Sequence, residues 1–165
     1  GSPTVLVDES SYFCMASWIA STSPAFTGFG MSWMTAALDT ENSNLRFALF
    51  NPDGTVAAGP LTVHGASTQT LFPVSLYNED HHAVAISWVE QQTWSTGGEC
   101  YFAEVNLDAA ALEIRTPPTA VSESGNTART LCTAAWTGSA YGFSWEDQRD
   151  SAGVGEIYFT LFGCM

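Results

Sequence analysis

Lysine is absent from this 165-residue chain, and its four basic residues are all arginine: Arg46, Arg115, Arg129 and Arg149. Seventeen acids oppose them, for a formal charge of −13. So acidic a chain repels phosphate backbones, which argues against nucleic acid and anionic membranes as partners. Solubility is the plain explanation of the acidity; calcium or a cationic partner are the others. Charged residues of both signs make up only 13% of the chain, and aromatics as much again. That balance fits aromatic-filled sheets with Ser, Thr, Gly and Asn surfaces better than charged helices. No apolar run is long enough to cross a bilayer. No window sustains a 3.6-residue apolar period either; "MTAALDTEN" (34–42) comes closest and is too short. The four cysteines (14, 100, 132 and 164) show no CxxC spacing and no His at zinc-finger distance, which argues against a structural zinc.

Those cysteines are read first as disulfides of an exported protein, with buried free thiols as the alternative. Gly1-Ser2 reads as a remnant of cloning, so a signal peptide or flanking domain is expected to have been trimmed. With the Ser/Thr-rich, lysine-free composition, this gives the expected location: secreted, periplasmic or cell-surface.

What the chain does contain is a threefold repeat. Three Ser-Trp pairs stand at Ser32-Trp33, Ser87-Trp88 and Ser144-Trp145, spaced 55 and 57 residues apart. Fourteen residues after each Trp comes a Phe: Phe47, Phe102 and Phe159. Upstream lie "FCMASW" (13–18), "FPVSLY" (72–77) and "LCTAAW" (131–136), which makes Cys14, Pro73 and Cys132 equivalent, as are Trp18, Tyr77 and Trp136. Downstream, "NPDGTVAAGPLTV" (51–63) and "NLDAAALEIRTPPTAV" (106–121) are each a turn followed by a final strand. Every unit is thus four short strands, rich in β-branched and aromatic residues and bounded by Gly, Pro, Asn, Asp and Ser. Four-stranded antiparallel units at this period describe β-propeller blades.

The third unit, with Ser144, Trp145, Asp147, Arg149, Asp150 and Glu156 through Phe159, also resembles a bacterial β-propeller repeat of the form SW-x-D-x-R-D … EIYF-x-L. The first two units keep the Ser-Trp pair, the spacing and the aromatic strand, but have "MTAALD" and "VEQQTW" where the acidic-Arg turn belongs. The resemblance implies the sialidase-like and lectin-like propeller architecture; such repeats mainly build scaffold.

The expected fold is therefore all-β, a β-propeller with three four-stranded blades at about 11–65, 66–124 and 125–165 within one domain. The third unit ends after its third strand, and "PTVLVDES" (3–10) matches "PLTVHGAS" (60–67) and "PTAVSESG" (118–125), so residues 3–8 are expected to complete a third blade. Closed propellers have four to eight blades, and three cannot fill a circle. A homodimer closing a six-bladed ring is the simplest repair, much as bacterial and fungal fucose-binding lectins build such rings from short chains. The rival is a longer chain that supplies the other blades itself. Cys14 and Cys132 could then bridge across the ring junction, with Cys100 and Cys164 as a less obvious second pair; the sequence leaves all three connectivities open.

Candidate chemistry is sparse. The loop "EDQRDSAGVGE" gathers Asp147, Arg149 and Asp150, all ligand-contact candidates, with Glu146 and Glu156, for acid/base work, for calcium, or as an Arg–carboxylate clamp on a hairpin. "LDTEN" offers Asp39 and Glu41 in the matching turn of the first unit. "YNEDHH" (77–82) reads as an exposed polar turn, since neighbouring His81 and His82 point to opposite faces and suit one metal badly. His64 stands alone on a final strand. No G-x-S-x-G or Ser/His/Asp grouping is present, and the arginines do not cluster as a sialidase requires. Trp33, Trp88 and Trp145 read as core. Trp94, outside the repeat, and the equivalent aromatics Trp18, Tyr77 and Trp136 are the best ligand-contact candidates, since sugar faces stack on indole. The expected function is non-catalytic recognition of a glycan or protein; a glycosidase or lyase, and a purely structural assembly unit, are the alternatives.

Overall fold

In a computed structural model, residues 11–22, 25–35, 43–66, 68–91, 97–108, 111–123, 131–149 and 154–163 are described. They form eleven strands and no helix among them. Sheet I holds β1 (Ser11–Thr22), β2 (Ala25–Thr35), β3 (Ser43–Phe50) and β4 (Val56–Ala66) in that order. Sheet II repeats the plan with β5 (Gln69–Asn78), β6 (Ala83–Gln91), β7 (Gly98–Asn106) and β8 (Glu113–Ala120). Sheet III has three strands, β9 (Thr133–Trp136), β10 (Ala140–Asp147) and β11 (Glu156–Gly163). All pairings are antiparallel, so the protein is all-β with three blade-like sheets of four, four and three strands. The segment 3–8, expected to complete the third sheet, lies outside the described residues, as do Asp39, Glu41, Trp94, Asp150 and Cys164.

The sheets stack face to face in chain order, and the repeated residues explain how. Alternation along a strand sends neighbouring side chains to opposite faces, so each Ser-Trp pair works in two directions. The Trp points back: Trp88 packs with Leu45, Phe47 and Leu49 of sheet I, and Trp145 packs with Cys100 and Phe102 of sheet II. The Ser points forward. Ser32 Oγ meets Ser75 Oγ of β5 at 2.6 Å, and Ser87 Oγ donates to the Cys132 carbonyl just before β9 at 2.6 Å. The buried Ser32 and Ser87 hydroxyls thereby keep partners while the aromatic side chain, worth about 1.5–3 kcal/mol when fully buried, fills the seam behind.

The Phe of the third strand in each sheet lies on the forward face. Phe47 is opposite Ser32, Phe102 opposite Ser87 and Phe159 opposite Ser144. A Cβ on Gly30 would come within 3.0 Å of the Phe47 ring, and one on Gly142 within 3.0 Å of the Phe159 ring, so glycine makes the bed on which each ring lies. Phe47 is 0% exposed beneath sheet II and Phe102 is 1% exposed beneath sheet III. Phe159 is 65% exposed, flanked by the exposed Ile157 and Leu161, and no described sheet covers them.

The repeat extends to a backbone irregularity. Phe13 (φ 47°) and Phe72 (φ 52°) are equivalent, and the pairing register slips beside each of them. A bulky side chain at positive φ is uncommon; here each marks a β-bulge that bends the first strand of its sheet. The two rings then touch, with centroids 4.7 Å apart.

The expected cysteine pairing needs correction. Cys14, Cys100 and Cys132 are free thiols in the structure, and no disulfide is seen among the described residues. Cys14 and Cys132 do not face each other: equivalent positions on stacked sheets point the same way, and the buried Cys132 looks back onto sheet II, where its thiol meets that of Cys100.

Candidate functional site

The three equivalent aromatics Trp18, Tyr77 and Trp136 end in three different settings. Trp18 is 52% exposed on the rear face of sheet I, edge-on to Phe29 at 4.9 Å. Tyr77 packs into the seam between sheets I and II, its buried hydroxyl without a hydrogen-bond partner. Trp136 lies in the seam between sheets II and III and is the one of the three placed beside polar groups, Asp80 and His81.

The groove in that seam is built from a tight turn and a single departure from the repeat. After β5, Asn78 Oδ1 accepts from the His81 backbone N–H at 3.2 Å, and His82 turns the chain at positive φ. This Asx-type turn swings His81 onto Glu104 of β7, with Nδ1 2.7 Å from Oε1. Glu104 occupies the position that Leu49 holds in sheet I and Leu161 in sheet III. It is 2% exposed, and both its oxygens are used: Tyr141 Oη donates to Oε1 at 2.7 Å and Thr116 Oγ1 to Oε2 at 2.6 Å. Asn78 Nδ2 in turn donates to Tyr141 Oη at 2.6 Å. Burial pushes the Glu104 carboxyl upward, but the hydrogen bonds from His81, Thr116 and Tyr141 outweigh it and hold the group below its ordinary range. The result is an ionised carboxylate fastening sheet II to sheet III.

Around this core opens a cavity of about 310 Å³ lined by His81, Glu104, Arg115, Thr116 and Phe162. Arg115 on β8 donates to the His81 carbonyl. The Trp136 indole N–H donates to Asp80 Oδ2 at 2.6 Å, while its ring lies 4.5 Å from His81 and 4.7 Å from Tyr141. So the "YNEDHH" turn, expected to be merely exposed and polar, is a working contact with sheet III: Glu79 and Asp80 are exposed, and His81 is half-buried. No protein-family model, curated protein or solved structure matches this chain. Its chemistry rests on the groove and its neighbours.

Both Glu104 oxygens already accept hydrogen bonds, and the lining offers an arginine, a histidine, a hydroxyl and the Phe162 ring to a polar ligand. A second hollow of about 410 Å³ lies between the outer strands, but Ala57, Ala58, Leu61, Ala111 and Leu112 line it without an orienting polar side chain.

Asp147 and Arg149 make the clamp weighed from the sequence. Asp147 is buried and accepts from Arg149 Nη2 at 2.6 Å, Arg149 Nε at 3.1 Å, the Arg149 backbone N–H at 2.9 Å and the Trp145 indole at 3.1 Å. Arg149 also reaches Glu123 at 2.8 Å and lies 4.4 Å above the Tyr158 ring. The Asp147 bond holds the guanidinium above its already high range. These groups serve the β10–β11 hairpin and the Trp145 side chain, and stand apart from the groove lining. Among the described residues, no three His, Cys, Asp or Glu side chains gather as a metal site.

A second carboxylate works like Glu104. Glu90 of sheet II accepts from Thr68 at 2.5 Å and lies 2.8 Å from His64 Nε2 of sheet I, so the solitary histidine is an inter-sheet contact. Burial raises the Glu90 pKa, and the bonds from His64 and Thr68 lower it further than burial lifts it. A carboxyl whose folded pKa is depressed stabilises the fold above its unfolded value of about 4.3 and ceases to as pH falls through the folded value. Thermal stability is therefore expected to be flat from neutrality to about pH 5 and to fall below about pH 4.3. In Glu90→Gln/Glu104→Gln the acid limb should be shallower, at a lower neutral plateau. Melting curves from pH 3 to 7 check this; an acid limb unchanged in the double variant would show that other groups control it.

Proposed function

We propose that this chain is a non-catalytic recognition module, carrying a glycan-binding groove at the seam of sheets II and III on a propeller-like ring completed by a second copy. The observation that carries the binding half is the groove itself. The Phe162 ring offers an apolar face for sugar C–H groups, and Arg115, His81 and Thr116 offer hydroxyl partners around a hollow of monosaccharide to disaccharide size, with Trp136 packed against His81 next to it. A protein ligand remains the second reading, supported by the same exposed rim.

The ring half rests on the forward row of Phe159, Ile157 and Leu161, where the two earlier sheets bury Phe47 and Phe102 under the next sheet. What covers those rows is a rear face, and the rear face of sheet I presents the exposed Cys14, Trp18 and Phe29 beside a buried cluster of Trp33, Ala48 and Phe50. A second copy supplies that face, and two stacks of three then close into six. In this arrangement Trp18 belongs to the seam between copies, as Tyr77 and Trp136 belong to the seams within one. Secretion or surface display agrees with the lysine-free, acidic composition.

Glycan-array binding, with no hydrolysis of chromogenic glycosides, is the expected result. Arg115→Ala is expected to weaken binding at least about tenfold, roughly 1.4 kcal/mol, with melting temperature little changed; Trp136→Ala, which also strips packing from His81 and Tyr141, should lower both. Hydrolysis would favour the glycosidase reading. Silence on the array with an intact dimer would favour the assembly unit. Light scattering should give a mass near twice 17.7 kDa; a monomer at all concentrations would remove the ring.

A further inference from the structure

The second seam holds one feature that neither the groove nor the ring uses. Cys100 on the forward face of β7 and Cys132, next to the start of β9, are both fully buried in the cluster of Ala85, Phe102, Tyr141 and Phe143. Their thiols face one another in a side-chain hydrogen bond. The backbone around them is fixed: Ser122 Oγ accepts from the Cys100 N–H at 3.0 Å, and Ser87 Oγ donates to the Cys132 carbonyl at 2.6 Å. At the first seam the equivalent positions are Leu45 and Pro73, both buried and neither carrying a thiol. Leucine and proline there, and two thiols here, make this seam different at both of its facing positions.

We propose that Cys100 and Cys132 are an oxidisable pair whose disulfide staples sheet II to sheet III. The oxidant is a disulfide of the glutathione class or of a thiol–disulfide oxidoreductase. One thiolate attacks the donor disulfide, releasing a thiol and forming a mixed disulfide; the second thiolate displaces the remaining donor sulfur. One sulfur–sulfur bond is broken and one is made. The two thiol protons end on the two donor thiols, and two electrons pass from the cysteines to the donor.

Timing follows from burial. Desolvation, with the neighbouring thiol and Asp147 adding to it, pushes the Cys100 thiol far above its ordinary pKa, and only the thiolate attacks a disulfide. Exchange therefore takes place while the seam is open, before sheet III docks. After docking the pair is sealed in whichever state it holds. The closed loop includes β8, and constraining the unfolded chain at that length raises the melting temperature by roughly 5–15 °C.

The test uses Cys14→Ser/Cys164→Ser, which leaves this pair alone. Refolded from denaturant in a glutathione redox buffer, it is expected to yield a linked peptide containing residues 100 and 132, two hydrogens lighter than the thiol form. It should also melt higher than the same protein refolded with reductant, and that difference should vanish in the chain that also carries Cys132→Ala. The folded thiol form should resist oxidised glutathione over hours. Free thiols after oxidative refolding, or links between molecules only, would overturn the pair; a link without a rise in melting temperature would overturn the staple. Equally fast oxidation of folded and unfolded protein would overturn the timing.

Discussion

Aspartate at position 159 is expected to break the proposed dimer and leave the protein a monomer. Phe159 is exposed in the single chain, so Phe159→Asp removes little internal packing. Its far-ultraviolet circular dichroism should match the parent, and its melting temperature should match that of the parent diluted to monomer. In the closed ring the same position would be as covered as Phe47 and Phe102, and the carboxylate would be desolvated with no partner. That penalty is several kcal/mol, and about 1.4 kcal/mol is tenfold in Kd, so dissociation should strengthen at least about a hundredfold. Sedimentation equilibrium reads this directly. Cys14 gives a second readout: it is exposed in the single chain and lies on the rear face that the partner would cover, so alkylation should be slow in the dimer and fast in Phe159→Asp. A dimer that survives the substitution, with Cys14 still reactive, would place the contact elsewhere. The proposed glycan binding should persist in the monomer, because the groove is made within one chain.

The second large effect is expected from Glu104→Ala. The substitution strips acceptors from His81, Thr116 and Tyr141 together and leaves buried donors behind a cavity. Breaking one side of a buried, hydrogen-bonded pair costs about 3–5 kcal/mol. For a domain of this size that is a fall in melting temperature of roughly 6–20 °C. Glu104→Leu installs the side chain the repeat uses elsewhere, and combined with Tyr141→Phe it should recover part of the loss. The double-mutant cycle between positions 104 and 141 should show coupling of about 1–3 kcal/mol. A fall of less than about 2 °C in Glu104→Ala would mean that the seam is held by its apolar contacts alone.

The sheets were legible because their determinants are local and repeated. Each Ser-Trp pair and aromatic third strand carries its own period-two signal, and three copies of the pattern confirm one another. Glu104 was hidden for the opposite reason: in "ECYFAEV" it looks like any polar residue of a half-buried strand, and its burial depends on sheet III, reached only through tertiary contact. The signal lay in comparing units, since Leu49 and Leu161 mark that position as apolar. His81 was hidden likewise, because a turn rich in charge reads as solvated until Trp136 closes over it. The cysteine pairing failed on geometry: residues equivalent by repeat are parallel in space, and a bridge needs one forward and one rear position, which Cys100 and Cys132 supply. Trp94 and Asp150, candidates from the sequence, fall outside the described residues.

The bulges at Phe13 and Phe72 carry a further consequence for the proposed assembly. Forward and rear faces are different surfaces, so copies mate head to tail, and contacts of that kind end only when the accumulated rotation returns to its start. The bent first strands help set that rotation. A chain in which they are straightened, for instance by β-branched residues that reject positive φ at 13 and 72, is expected to miss its own origin and grow into helical filaments.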